Sequence, residues 1–167
     1  MIMWSMIHGA TILVFIRRIY TYLKYNTVTS MIIYIDGIFD LFHYGHIELF
    51  NKCKNMFPNV ILIVGVMGDG VATSYKRKPI YNEKHRYALV KNSRNVDKII
   101  ENPPLIVTKE FMEEYKIDYV VHAFANTSDE TKQDQFFSYP RSIGAFKTIE
   151  YCNEISTTDI INRIIGV

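Results

Sequence analysis

Two histidines, His43 and His46, lie three residues apart with Gly45 between them. An apolar run precedes them at 31–35 and a helical pattern follows at 47–57, which predicts a strand-to-helix turn. Residues at i and i+3 share one face of a helix, so both imidazoles can project toward one point, and glycine permits close approach of a ligand. Free N–H groups at a helix start attract phosphate, and histidine donors stabilise charge that develops on phosphorus. The pattern therefore favours phosphoryl or nucleotidyl transfer over a purely structural role for the two histidines. A metal site is less favoured, because the sequence offers no further ligands at the spacings of known zinc sites.

Two other polar segments could bind a polyanion. Residues 76–78 are Lys-Arg-Lys, which suits a triphosphate but is also typical of a solvated basic turn. Residues 156–158 are Ser-Thr-Thr at the start of a predicted closing helix, where hydroxyls and backbone N–H groups can cradle a phosphate. Asp159 stands three residues after Ser156, so an ordinary capping box explains part of this second motif.

The elements that must position these residues alternate along the chain. Short apolar runs predict strands, and helical patterns with capping residues predict helices between them. The predicted strands are 31–35, 60–67, 96–101, 119–123 and 146–151, and the predicted helices are 47–57, 83–93, 108–116 and a last one from Ser156. This alternation predicts an α/β fold with a Rossmann-like parallel sheet and helices on both faces. The candidate residues all fall in or beside loops at the carboxyl ends of the strands, and a polar segment, 124–138, is expected to be mobile.

Composition and charge limit the class of ligand. The chain has 167 residues and a formal net charge of +2, and residues 31–167 carry 16 basic against 17 acidic side chains. Such a balance lacks the basic surface of a nucleic-acid-binding protein, so we expect small, locally bound ligands. The two cysteines, Cys53 and Cys152, lie far apart, which indicates a reduced, cytoplasmic setting.

Residues 1–30 form an apolar and basic leader that stands apart from the catalytic domain predicted at 31–167. The apolar run is shorter than the roughly 20 residues of a spanning helix, and no basic residue precedes it as in a secretory signal. Three interpretations stay open: a marginal membrane anchor, an amphipathic attachment segment, or sequence outside a working protein that starts at Met31. An anchor here would hold the chain on the cytoplasmic side, because Arg17 and Arg18 follow it directly.

The segment 34–46, YIDGIFDLFHYGH, closely resembles the signature of the choline-phosphate and ethanolamine-phosphate cytidylyltransferases, within the HxGH nucleotidyltransferase superfamily. The resemblance continues through 63–66 with Asp69, through Asn82, Glu83, Arg86 and Tyr87, and through 96–97, and it resumes at 155–161. It implies transfer of CMP from CTP to phosphoethanolamine or phosphocholine in phospholipid synthesis, with pyrophosphate released. The resemblance also implies that Mg²⁺ accompanies CTP, and it is compatible with a homodimer. A glycerol 3-phosphate or other nucleotidyltransferase, and a nucleotide-binding homologue with impaired catalysis, are the alternatives.

The resemblance also assigns roles to residues. The implied catalytic residues are His43, His46 and Lys76, and Asp36 and His122 would bind the phosphorylated alcohol. The implied nucleotide-binding residues are Ile38, Phe39, Gly45, Arg86, Ile155, Ser156, Thr157 and Thr158. No residue is assigned as a metal ligand.

The chain departs from the family pattern in two places. Relatives usually have Arg-Thr-x-Gly before Ile-Ser-Thr, whereas residues 151–154 here are Tyr-Cys-Asn-Glu, so a phosphate-binding arginine is missing. Arg141 is the candidate substitute. Choline-type members also have an aromatic residue where this chain has Leu105, and acidic residues where Ala-Phe-Ala follows His122. Aromatic faces bind quaternary ammonium, so these changes make phosphoethanolamine at least as good a candidate as phosphocholine.

Overall fold

The computed structural model describes residues 16–17 and 29–166. The interpretations offered for the leader 1–30 therefore lie almost entirely outside the described residues. No helix within the described part of the chain is long and apolar enough to cross a membrane.

Five strands form one sheet in which every hydrogen-bonded pair is parallel. They are β1 (Met31–Gly37), β2 (Val60–Val66), β3 (Lys98–Glu101), β4 (Tyr119–His122) and β5 (Phe146–Thr148), in the spatial order β3-β2-β1-β4-β5. The pairing of β1 with β2 is in register from Met31 against Val60 to Gly37 against Val66. The order reverses between β1 and β4, which is where ligands bind in open sheets of this kind.

Helices connect the strands, and most begin at a capping side chain. They are α1 (Tyr44–Lys54), α2 (Asp69–Tyr75), α3 (Glu83–Lys91), α4 (Lys109–Tyr115), α5 (Thr127–Gln133), a 3₁₀ helix (Asp134–Phe137), α6 (Ser138–Ser142) and α7 (Thr157–Ile165). Side chains of His43, Asn82, Thr108, Asn126 and Ser156 accept backbone hydrogen bonds at the starts of α1, α3, α4, α5 and α7. These caps satisfy N–H groups that the first turn of a helix leaves free.

The core has two clusters, one on each face of the sheet. Ile33 and Ile35 of β1 face the cluster that contains Phe50 of α1 and Val90 of α3. Tyr34, between them, faces the opposite cluster, with Phe111 of α4 and Phe137 of the 3₁₀ helix among its members. Alternate residues of a strand point to opposite faces, so helices cover both sides. The predicted α/β fold is confirmed.

Three segments differ most from the sequence prediction. Residues 69–75 form α2 where the glycines at 68 and 70 indicated a loop. Residues 124–138, expected to be polar and mobile, contain α5 and the 3₁₀ helix, and this segment buries Phe136 and Phe137. The last strand ends at Thr148, three residues earlier than predicted.

Candidate active site

A cavity of about 620 Å³ lies at the carboxyl ends of β1 and β4. Most of the predicted site residues line it, namely Asp36, Ile38, Phe39, His43, His46, Lys76, His122, Ser156, Thr157 and Thr158. Gly45, Arg86 and Ile155 do not line it. The fold thus brings segments from both ends of the described chain to one place.

Backbone donors fix the ring orientation of both histidines. His43 caps α1, and its Nδ1 accepts from the Gly45 N–H at 3.1 Å. The Nδ1 of His46 accepts from the His43 N–H at 3.3 Å, and the two rings stack with centroids 3.9 Å apart. A neutral imidazole whose Nδ1 accepts a hydrogen bond carries its proton on Nε2. Each ring therefore carries an Nε2–H donor, and the Nε2 atom of His43 lies 3.5 Å from the Thr157 hydroxyl oxygen.

Burial keeps these rings neutral. It lowers the pKa of His43 from its ordinary value, against the opposing effect of Asp159. Burial, and then the neighbouring charge of His43, lower the pKa of His46 to about 3. At neutral pH His46 is uncharged, so it can offer a neutral hydrogen-bond donor but no positive charge.

The start of α7 closes the cavity beside His43. The Thr157 hydroxyl donates to the Asp40 carbonyl at 3.0 Å and lies 3.5 Å from His43 Nε2. Ser156 forms the predicted capping box, because its N–H and hydroxyl donate to Asp159 and its Oγ accepts from the Asp159 N–H. The hydroxyls of Ser156 and Thr157 are thus both engaged as donors, and Thr158 supplies the third hydroxyl at this wall.

Gly45 permits the close contact between α1 and the loop before α7. A β-carbon at this position would lie 3.0 Å from the Ile155 carbonyl oxygen and 3.0 Å from His43 Cε1. Gly45 and Ile155 both line a small adjoining cavity of about 70 Å³. They shape the site from behind the histidine pair, and their predicted nucleotide contacts remain predictions.

Asp40 is a site residue that the motif analysis did not identify. Its Oδ2 accepts from the Ile80 N–H at 2.9 Å, and its Oδ1 accepts from the N–H groups of Tyr81 and Leu41 at 2.9 and 3.0 Å. Its side chain is buried in the cavity wall. Asp40 therefore ties the end of the basic loop to the histidine turn.

Arg86 lies behind the cavity and is fully buried. Its guanidinium donates to the Ile38 carbonyl at 2.6 Å, to the Tyr81 carbonyl at 3.1 Å and to Asp69 Oδ1 at 2.7 Å. These bonds hold the backbone of Ile38, which does line the cavity. Any effect of Arg86 on a bound nucleotide would pass through that backbone.

The turn between β1 and α1 contains two residues in a strained conformation. Phe39 and Leu41 have φ values of 54° and 45°, in a range that residues other than glycine rarely adopt. The Phe39 ring is buried against His46, with centroids 5.2 Å apart. Strain of this kind persists where surrounding contacts enforce it, and it is concentrated at functional sites.

The carboxylate of Asp36 is buried at the far end of the cavity. Its Oδ1 lies 3.7 Å from His122 Nδ1, and its Oδ2 has no hydrogen-bond partner among the described residues. The His122 ring packs against Phe124 and Phe137. A buried carboxylate oxygen without a donor is costly, and a cationic ligand group would satisfy it.

The cationic side of the cavity begins where α2 ends. Lys76 caps the end of α2, and Lys76 and Arg77 both line the cavity as exposed side chains. Tyr151 lines it as well, at the position of the missing family arginine. Arg141 does not replace that arginine in the cavity, because its guanidinium pairs with Glu130 at 3.1 Å and with Asp134 at 2.9 Å.

Comparisons with known proteins agree with this geometry. The family model described as cytidylyltransferase-like matches residues 34–163. Choline-phosphate cytidylyltransferase 2 of Arabidopsis thaliana is 39% identical over 80% of this chain and 44% of its own length. The choline-phosphate cytidylyltransferase of Saccharomyces cerevisiae is 41% identical over 80% of this chain and 31% of its own. The ethanolamine-phosphate cytidylyltransferase of Arabidopsis thaliana is 34% identical over 82% of this chain and 33% of its own length.

The chain thus spans less than half the length of these relatives. Among solved structures, the lipopolysaccharide core biosynthesis protein from Thermoplasma volcanium GSS1 shares the fold, with a TM-score of 0.57 and 24% identity over 73% of this chain and 96% of that one. The family match covers all but the first three residues of β1, and it includes the histidine turn, the basic loop and the start of α7, which all line the cavity. The chain therefore belongs to the cytidylyltransferase-like family.

Proposed function

We propose that the protein transfers CMP from CTP to phosphocholine or phosphoethanolamine and releases pyrophosphate. The observation that carries the proposal is the pair of neutral histidines whose Nδ1 atoms are occupied by backbone N–H groups, at the wall of the cavity that also holds Lys76 and Asp36. The substrates named for the relatives contain the groups for which this cavity has partners, phosphates and a cationic amine.

The reaction is an in-line displacement at the α-phosphorus of CTP. An oxygen of the phosphomonoester forms the new bond, the bond to the β-phosphate oxygen breaks, and pyrophosphate leaves with the electron pair. His43 and His46 donate from Nε2 to the oxygens on which charge grows. Lys76 and Arg77 hold the departing phosphates. Alignment and charge stabilisation supply most of the rate enhancement in reactions of this class, so no protein nucleophile is required.

Mg²⁺ belongs to this proposal as a companion of CTP. The described residues contain no group of three or more His, Cys, Asp or Glu side chains that could hold a metal ion by themselves. Mg²⁺ that accompanies a nucleotide commonly takes its ligands from phosphate oxygens and water. The ion would neutralise phosphate charge, while the protein residues orient the nucleotide.

The alcohol end of the substrate fits the pocket around Asp36. A primary ammonium group has N–H donors that can reach the unpaired Oδ2, which favours phosphoethanolamine. The higher identity to enzymes named for choline phosphate favours phosphocholine. Both substrates therefore stay in the proposal.

A cytoplasmic location completes the proposal and is supported by the two cysteines, which are both free thiols. A homodimer and a weak membrane contact through the leader 1–30 are further predictions.

The test is pyrophosphate release by the full chain, with CTP or ATP offered against phosphocholine, phosphoethanolamine or glycerol 3-phosphate. We expect release with CTP and at least one of the two amino-alcohol phosphates. Release only with glycerol 3-phosphate or only with ATP would contradict the substrate assignment. CTP binding without any release would instead support a homologue that has lost catalysis.

The histidines are tested by His43→Ala and His46→Ala in the same assay. We expect kcat to fall by about 10²–10³, with CTP affinity little changed, because these donors act mainly on charge in the transition state. His85→Ala is the matched control, since His85 is exposed and outside the cavity. A folded His43 variant with near-normal kcat would contradict the catalytic assignment.

A further inference from the structure

The face of α5 that lines the cavity carries one basic side chain, Lys132. Ser128, Asp129 and Lys132 line the cavity at helical spacings of three and four residues, so they share one face. Asp129 is already engaged there, because its Oδ1 accepts from Gln133 Nε2 at 2.6 Å and its Oδ2 from the Ala125 N–H at 3.4 Å. Lys132 is exposed, and the described residues place no carboxylate in a salt bridge with it.

The other charges of this segment point elsewhere. Glu130 and Asp134 both pair with Arg141, whose guanidinium also lies 4.2 Å from the centre of the Phe146 ring. The segment therefore groups Glu130, Asp134 and Arg141 outside the cavity, and it places one cation, Lys132, and one hydrogen-bonded carboxylate, Asp129, at the cavity wall. A polyanion in the cavity would meet Lys132 on this side.

Tyr151 belongs to the loop between β5 and α7. It lines the same cavity, and its pKa is raised by burial, by Asp159 and then by Asp129 of α5. The last loop thus presents a phenol to the cavity where the family resemblance implies a phosphate-binding arginine. Besides Lys76 and Arg77, the face of α5 also offers a positive charge to this cavity, through Lys132.

We propose that Lys132 binds a substrate phosphate in this cavity, and so supplies from α5 the positive charge that the loop around Tyr151 lacks. This inference rests on the proposed function, because it takes the ligand to be CTP or the phosphorylated alcohol. The shared chemistry is a phosphate group, and the two sources are separated by experiment. Lysine suits the task as a mobile point charge with three donors.

The test compares the full wild-type chain with Lys132→Gln and Lys132→Arg. We expect Lys132→Gln to weaken binding about five- to tenfold at low ionic strength. A loss of this size lies between the loss expected for an exposed ion pair and the loss expected for a buried charge-assisted hydrogen bond. A raised dissociation constant for CTP would identify a nucleotide phosphate, and a raised KM for the phosphoalcohol alone would identify the other substrate. Lys132→Arg should keep most of the affinity, and the difference should shrink as salt rises.

Lys84→Gln is the matched control, because Lys84 is an exposed helical lysine outside the cavity. Thermal unfolding should show that all variants fold. Equal binding of both substrates by Lys132→Gln and Lys84→Gln would overturn the inference, and so would a loss that Lys132→Arg does not restore.

Inorganic tripolyphosphate serves as a further probe, because its binding requires neither the base nor the alcohol. A chain that releases no pyrophosphate but binds tripolyphosphate in a Lys132-dependent way would contradict the proposed function and support the role of Lys132. A chain that binds no phosphate ligand would overturn both.

Discussion

At the scale of single residues, the histidine pair illustrates how backbone contacts determine side-chain chemistry. The motif alone predicts that two imidazoles can face a bound phosphate, but it does not determine which nitrogen of each ring carries the proton. The Gly45 and His43 N–H groups settle this by occupying the two Nδ1 atoms. Burial then keeps His46 neutral well below neutral pH, with a pKa of about 3. The position of the proton on each ring is therefore determined by the protein itself, without a ligand.

The lowered pKa of His46 predicts that stability falls as the solution becomes acidic. Below about pH 6.5 the unfolded chain binds a proton at His46, while the folded chain does so only near pH 3, so protons favour unfolding. The contribution approaches about 1.4 kcal/mol per pH unit in that window. Urea unfolding at about pH 7.5 and about pH 5.5 measures it. His46→Gln should show a smaller loss between the two conditions, and an unchanged loss would contradict the prediction.

Asp40 leads to a second prediction at this scale. Asp40→Asn replaces one acceptor oxygen by an amide that faces backbone donors, so we expect a loss of about 1–3 kcal/mol in unfolding free energy. The KM for CTP should rise, because the loop that carries Lys76 and Arg77 loses its attachment. Titration with CTP and thermal unfolding measure the two effects.

Asp118→Asn is the control for Asp40, since Asp118 accepts from the Ile32 N–H at 2.7 Å near the opposite end of β1. It should lower stability without changing the KM for CTP. A similar change of KM in both variants would show that Asp40 acts only through overall stability.

The sequence predicted the residues of the cavity better than their interactions. Most residues proposed from the motifs line it, because the carboxyl ends of parallel strands collect the intervening loops. Asp40 was missed because its partners Ile80 and Tyr81 are 40 and 41 residues away. Arg86 was placed near the nucleotide by resemblance, whereas its partners are two backbone carbonyls and Asp69. Long-range hydrogen bonds of this kind leave no local pattern.

At the scale of elements, the segment from α5 to the 3₁₀ helix forms a packed wall of the site. Phe137 is almost fully buried and contacts the rings of His122 and Phe146, with centroids 4.9 Å away in each case. Phe137→Ala should cost about 3–5 kcal/mol of unfolding free energy and raise the KM for the phosphoalcohol, because His122 loses its support. Urea unfolding and steady-state kinetics measure these effects.

Phe111→Ala is the matched control for Phe137, because Phe111 is buried in the same cluster but its ring contacts Tyr34 and Tyr115 rather than the cavity residue His122. It should destabilise the protein by a comparable amount and leave the KM for the phosphoalcohol unchanged. Equal kinetic effects in the two variants would contradict the supporting role of Phe137.

The elements that the sequence missed are those held by tertiary contacts. α2 has only seven residues and begins between two glycines, so its local pattern is that of a loop. Its first turn is fixed from α3, where Glu83 accepts from the Asp69 N–H at 2.8 Å and Arg86 pairs with the Asp69 carboxylate. The polar sequence of α5 was likewise misleading, because the aromatic residues that anchor it come only after its end. Strongly apolar strands such as β2 were predicted to within one residue.

At the scale of the whole molecule, both described core clusters and the cavity are built from residues after Met31. We therefore predict that residues 31–167 fold alone and bind CTP with the affinity of the full chain. Thermal unfolding and CTP titration of the two proteins provide the comparison. An insoluble or nucleotide-blind truncation would show that the leader 1–30 completes the structure.

The bond between Thr157 and the Asp40 carbonyl also has a consequence for biosynthesis. The two residues are 117 positions apart, and at about 5–20 residues per second the second is synthesised roughly 6–23 seconds after the first. During that interval the histidine turn exists without α7, so one wall of the cavity is absent from the growing chain. We expect CTP to bind and stabilise the completed protein but not the incomplete chain that is still attached to the ribosome.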